Sequence, residues 1–231
     1  MLALLYDIHG NLPALEAVLA DAHGADEWLL GGDMVPFGPY PDETLERLQA
    51  LDGATWIRGN TERWLVDRHD LEGPMTEAVE ACRAAIGDAR ADELAALPES
   101  AALDGGLAVH ASPASDMRSF MPEPGDDEAE LLAGASGPKL FFGHTHLQFR
   151  RESVSTHAGI ELVNPGSVGM SLDGDRRAAY ALLHDDGTVE LRRVAYDWEA
   201  SVRALCRRFG GRDWVKIVSA RIELSRFDVA S

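Results

Sequence analysis

Basic residues are scarce in this chain: 21 lysines and arginines face 39 aspartates and glutamates across 231 residues, a formal charge of -18 with histidine neutral. Affinity for long nucleic acid comes largely from lysine and arginine neutralising phosphates, so this balance excludes that class of partner. A small anionic ligand is not excluded, because a metal pair can reverse the field inside a cleft whose surroundings are acidic. Cysteine is scarcer still. Cys82 and Cys206 are far apart, lie in helix-like sequence and lack CxxC spacing, which leaves no basis for a disulfide framework or a zinc knuckle and fits a reducing compartment. No apolar run reaches the roughly 18 residues of a membrane helix. The opening MLALLYDIHG also puts an acid and a histidine where a secretory signal would still be apolar. The expectation is a cytoplasmic protein without a membrane partner. No internal repeat or low-complexity tract is present.

What is there suits a well-filled core. At 45% apolar composition over this length, a single domain spanning residues 1–231 is expected. Short apolar runs alternate with helical periodicity through the first third, the pattern of an α/β domain. Residues 1–6 read as a buried strand and 12–22 as a helix entered through Asn11 and Pro13, with Leu12, Leu15, Val18 and Leu19 on one face. A strand at 27–30 precedes a loop rich in glycine and proline, after which Asp42 can cap a helix carrying Leu45, Leu48 and Leu51. A third strand is expected at 55–58, one or two helices at 74–97 and a strand at 107–110. Residues 111–138 read as a surface excursion with a helical patch at 128–132. Strands follow at 139–142, 161–163, 178–184 and 189–194, the last two joined by the turn Asp185-Asp186-Gly187-Thr188. Residues 198–209 read as a helix and 214–227 as a further apolar element, together a helical and apolar extension packed on the domain. This 198–231 extension could cover the core or make a homodimer contact.

The informative side chains all follow strands, where open α/β sheets place ligand sites. Asp7-Ile8-His9 follows the first strand, Gly32-Asp33 the second and Gly59-Asn60 the third, while His110 and then Gly143-His144-Thr145-His146 follow two later ones. Each alone has an ordinary explanation: Asp33 as a turn, Asn60 as a cap, His110 as a satisfied core histidine. Five in order, each at the end of an apolar run, point to a metal site. Hard oxygen from Asp and Asn mixed with imidazole nitrogen suits manganese, iron, zinc or nickel better than calcium or magnesium. His23, His69, His157 and His184 lack this support and are expected at the surface or behind the site.

These blocks resemble the calcineurin-like metallophosphoesterase superfamily, whose signature runs DxH, GD, GNH followed by an acid, H, and GHxH. The resemblance covers about residues 1–195. It extends to a small bacterial branch through Tyr6-Asp7-Ile8-His9-Gly10-Asn11 and Asn164-Pro165-Gly166-Ser167-Val168-Gly169. It implies a four-layer αββα sandwich, two mixed sheets flanked by helices. It also implies two divalent cations, Mn2+ foremost, with Fe, Zn, Ni or Mg as alternatives. Asp33 would bridge them, with Asp7, His9 and His146 completing one position and Asn60, His110 and His144 the other. On this resemblance Asp33, Asn60 and His9 are the catalytic residues. A metal-bridging hydroxide would attack phosphodiester or phosphoanhydride bonds of small molecules such as nucleotides or dinucleoside polyphosphates. The sequence departs from the signature at Thr61, where the family carries a histidine that protonates the leaving oxygen; His9 or a water would have to serve instead. Phe37 and Tyr40 in the loop after Asp33, together with Arg58 and Arg118, are candidates for gripping substrate. A non-catalytic scaffold that keeps the fold is the rival reading, and the presence of all seven ligands weighs against it.

Overall fold

Leu2–Leu5 form β1, whose side chains divide between two cores: Leu4 and the following Tyr6 face one, Ala3 and Leu5 the other. A strand buried on both faces reads as a continuous apolar run. The computed structural model describes residues 1–154 and 159–229. After β1 the chain makes α1 (Leu12–Asp21), β2 (Glu27–Leu30), α2 (Pro41–Gln49), β3 (Ala54–Trp56), α3 (Asn60–Trp64), α4 (Pro74–Ile86) and α5 (Asp88–Ala95). It continues through β4 (Ser100–Leu103), β5 (Gly106–Val109), α6 (Glu128–Leu131), β6 (Lys139–Phe141), β7 (Phe149–Glu152) and β8 (Glu161–Asn164). The last elements are β9 (Ala178–Leu183), β10 (Val189–Val194), α7 (Trp198–Phe209) and α8 (Asp213–Leu224).

The strands make two five-stranded mixed sheets, ordered β10-β9-β1-β2-β3 and β4-β5-β6-β8-β7. In the first, β1, β2 and β3 are parallel and β9 and β10 antiparallel; in the second, β5, β6 and β8 are parallel between antiparallel edges. Leu4, Leu29 and Ile57 meet Ala108, Phe141 and Val163 between the sheets. The outer face of the first sheet is covered by helices through Leu15, Val18, Val79, Val215 and Val218. That of the second is covered by Phe120, Leu131 and Leu132 against Leu140, Phe142 and Leu162. Four layers result, as the family resemblance implies.

Asp42 does not cap α2: Tyr40 holds the cap position, Pro41 opens the helix, and Asp42 sits in its first turn, where a carboxylate suits the helix dipole. Residues 213–224, read from the sequence only as part of a helical and apolar extension, are a full helix that buries Trp214, Val215, Val218 and Ile222 in the core. Strands β4 and β7 were not anticipated; both are sheet edges, where half-exposed and charged residues such as Arg150 and Arg151 are at home. Asn11 does precede α1, yet its amide does not cap the helix: it donates to Gly169 O at 2.7 Å and accepts from Ser201 Oγ of α7 at 2.7 Å. Among the described residues, no helix is long and apolar enough to cross a membrane.

Candidate metal centre

The chain leaves β1, β2, β3, β5 and β6 at the same edge of the sandwich and brings all seven sequence-derived ligands together there. Asp7, His9 and His146 offer ligand atoms within 4.8 Å of one another, and so do Asp33, His110 and His144. Asn60 Oδ1 lies 3.0 Å from His110 Nε2 and 3.0 Å from His144 Nδ1. Asp33 faces both groups, with Oδ2 3.8 Å from His9 Nε2 and Oδ1 3.4 Å from His110 Nε2. These placements need sharp turns. Among the described non-glycine residues, Asp7, His9, Asp33, Phe37, His144 and His146 have left-handed backbones, and only Ser225 does so elsewhere. Such conformations persist only where surrounding contacts enforce them.

The hydrogen bonds fix which atoms face inward. A carbonyl only accepts, so His9 Nδ1 donates to Pro36 O (3.0 Å), His110 Nδ1 to Gly31 O (2.9 Å) and His146 Nδ1 to Met170 O (2.6 Å). Each Nε2 then presents a lone pair. Those of His9 and His146 point at each other across 3.1 Å, and that of His146 is 3.5 Å from Asp7 Oδ1. Burial keeps the imidazoles neutral: it carries the pKa of His9 down to about 3, with smaller contributions from His110, Arg221 and His144, and that of His144 down to about 4. His110 and His146 are lowered by burial as well. Burial also raises Asp33 to about 6 and lifts Asp7 well above the usual carboxylate range. Imidazole lone pairs and buried carboxyl oxygens crowded at 3.0 to 3.8 Å repel one another once the carboxyls ionise. Divalent cations remove that repulsion, and this donor set, oxygen with imidazole, fits them.

A second ring of residues holds the ligands. Glu62 is fully buried, and its Oε2 accepts the backbone N–H groups of Asp33 and Gly59 at 2.8 Å while Oε1 accepts that of Met34 at 2.8 Å. Ser167 Oγ donates to Asp7 O at 2.7 Å and accepts from Met170 N at 2.8 Å, and Asn164 Nδ2 donates to Thr145 Oγ1 at 2.9 Å. The Asn164-to-Gly169 segment is thus the backing of Asp7 and His146. The sequence marks Glu62 as an acid after Asn60 and marks that segment as a motif, but neither role is visible until the loops they hold come together.

A cavity of about 690 Å³ opens over the centre. Phe37 lines it, 5.6 Å from the His9 ring and 6.5 Å from the Trp64 ring. Tyr40 does not; its backbone N–H donates to Gly10 O at the start of α2. Arg58 lines a separate space of about 520 Å³ behind His110, paired with Glu99 and Asp116. Arg118 is half-exposed and paired with Asp127 at 3.0 Å and Glu130 at 2.6 Å, away from the main cavity. The cavity instead takes Arg221 and Phe227 from the C-terminal segment, which the sequence reading left without a site role. His23 and His69 are exposed and His184 pairs with Glu190, so none joins the centre; His157 lies outside the described residues.

Residues 1–187 match the calcineurin-like phosphoesterase superfamily domain. An uncharacterized protein of Methanocaldococcus jannaschii is 28% identical over 222 residues, covering 85% of this chain and 88% of that one. The crystal structure of a metallophosphoesterase from Sphaerobacter thermophilus superposes with a TM-score of 0.80 at 26% identity, covering 97% of this chain and 98% of the other. A hypothetical protein of Pyrococcus horikoshii shares the fold at a TM-score of 0.80 and 19% identity, over 94% of this chain and 98% of its own. With that domain match over most of its length and a metal-ready cluster at the sheet edge, the chain belongs to the calcineurin-like phosphoesterase superfamily and is a metal-dependent phosphoester hydrolase.

Proposed function

We propose that this chain, acting as one domain of residues 1–231 in the cytoplasm, binds two divalent cations, manganese by preference, and hydrolyses phosphodiester or phosphoanhydride bonds of small nucleotides, dinucleoside polyphosphates among them. What supports this above all is the crowding of acceptors: Asp33 faces both ligand groups, Asp7, His9 and His146 on one side and Asn60, His110 and His144 on the other. Two divalent ions held there supply Lewis acidity, which generates a nucleophile at neutral pH and offsets charge on the phosphoryl oxygens.

The residues of the chain set the leaving-group preference. Thr61 is buried at the cavity wall and cannot act as a general acid at neutral pH. His9 has no proton to give, since Nδ1–H is committed to Pro36 O and Nε2 faces the ligand group. Without a side-chain acid the oxygen departs as an anion, easy for a phosphate with a pKa of about 6 and hard for an alkoxide, nearer the value of about 15.7 for water. Proton transfer from a positioned acid contributes about 100- to 10,000-fold, so the bias is toward anhydrides and activated aryl diesters over alkyl monoesters.

Metal analysis of wild type and Asp33→Ala, with rates on an aryl phosphodiester, a dinucleoside polyphosphate and glycerol phosphate, tests this. Asp33→Ala loses both ions and nearly all activity, and Thr61→His raises the glycerol phosphate rate most. Full metal content in Asp33→Ala would refute the bridging role; an equal effect of Thr61→His on all three substrates would refute the leaving-group argument.

A further inference from the structure

Arg221 is the one lysine or arginine that lines the cavity over the metal centre among the described residues. It projects from α8, beyond the part of the chain that matches the phosphoesterase domain. Its Nε is buried without a hydrogen-bond partner, and among the described residues it forms no ion pair; Asp228 attracts it through space without contact. Burying a guanidinium costs free energy unless a counter-charge meets it. The other candidate arginines already have theirs, Arg58 in Glu99 and Asp116, Arg118 in Asp127 and Glu130.

The side chain is also held in place. Its guanidinium carbon stands 4.5 Å over the Phe227 ring, a cation–π contact. Phe227 is brought back over the helix end by the left-handed turn at Ser225, whose carbonyl accepts from Gly174 N at 2.9 Å, and by the bridge between Asp173 and Arg226. A guanidinium stacked on one face keeps its edge N–H groups free for an anion. The cavity lining also holds apolar side chains: Phe37, Trp64 and the half-exposed Met117 and Met121 give a flat group something to lie on. At about 690 Å³ the space exceeds what a single phosphate group fills.

We propose that Arg221 binds a non-reacting phosphate of the substrate, so that the favoured substrate is a nucleotide with at least two linked phosphates, its base against the Phe37, Trp64 and methionine wall. This rests on the two-cation reading of the site: one phosphate reacts at the centre, and the next meets Arg221. A single-phosphate diester leaves the guanidinium unused. Charge-assisted bonds of this kind are worth about 10- to 100-fold in affinity.

The test uses the manganese-loaded full chain as wild type, Arg221→Ala, Arg221→Lys and Arg118→Ala. Binding of a methylene-bridged nucleoside triphosphate is measured by calorimetry, and kcat and KM are measured on a dinucleoside polyphosphate and on an aryl phosphodiester. With metal content and Tm unchanged, Arg221→Ala weakens triphosphate binding and raises the polyphosphate KM about 10-fold or more, with kcat and the aryl diester little altered. Arg221→Lys recovers part of the loss, and Arg118→Ala matches wild type. Equal losses on both substrates, or none on either, would overturn the proposal, as would wild type that cleaves the aryl diester yet does not bind the triphosphate. A wild type that cleaves neither substrate with metal bound would instead remove the two-cation reading, and this inference with it.

Discussion

Gly59 and Asp33 stand so close that a β-carbon on Gly59 would lie 2.3 Å from Asp33 Oδ1. The backbone of Gly59 is ordinary, with φ of -102°, so space alone demands glycine there. Gly59→Ala must push Asp33 off the line between the two ligand groups. We expect it to lose metal and to cost about 1 to 3 kcal/mol as an overpacking change. Metal analysis and a thermal melt check this; a variant that keeps both ions and its Tm would show that the loop yields without cost.

Glu62 fastens the Asp33 loop to the Gly59 loop through three backbone N–H groups. Glu62→Gln keeps the shape but replaces one accepting oxygen with a donor aimed at those N–H groups. A buried donor left facing donors costs about 1 to 3 kcal/mol, roughly a 2 to 12 °C fall in Tm for a chain of this length. Metal affinity should fall in parallel. A melt within about a degree of wild type would mean that one accepting oxygen suffices.

Ser167 acts on the same centre from behind, bonding Asp7 O and Met170 N. Loss of groups that orient metal ligands typically costs about 10- to 100-fold in metal affinity or activity. Ser167→Ala should fall in that range, read by metal titration. An unchanged affinity would show that the Val168 and Gly169 backbone bonds to Tyr6 O and Asp7 O hold the loop unaided.

Tyr196 gives the protein an alkaline weakness. Burial raises its phenol from 10.0 to about 12, opposed by the Asn11 amide and the charge of Arg176. Below pH 10 the phenol is protonated in both folded and unfolded chains, and its contribution is whole. Between pH 10 and about 12 the unfolded chain releases the proton while the folded chain keeps it, so stability falls as pH rises. The loss is on the order of 1 to 2 kcal/mol after allowing for partial exposure. Urea midpoints across that range should decline more steeply for wild type than for Tyr196→Phe; parallel curves would assign the alkaline loss to other groups.

The seven candidate ligands were legible because they recur in order at the ends of successive apolar runs, although each alone has an ordinary explanation. The central strands were legible for the same reason, being apolar on both faces. Strands β4 and β7 were not, because an edge strand carries Ser100 or Arg150 without penalty and shows no period. Glu62 could be seen but not understood, since two of its three partners are backbone groups 28 and 29 residues away. Arg221 was invisible as a site residue: along α8 it is one more cation on an amphipathic helix, and only the packing of α8 against α4 and α7 turns it over the centre.

The left-handed backbones at Asp7, His9, Asp33, His144 and His146 have a further consequence. Each such non-glycine residue is held against its preference at a cost of order 1 kcal/mol or more. A population of variants selected only for heat resistance would gain first by relieving these positions, with glycine the cheapest relief. Every such gain removes a candidate metal ligand. Breeding this protein for endurance without also asking it to work would therefore yield a sturdier shell with an empty heart.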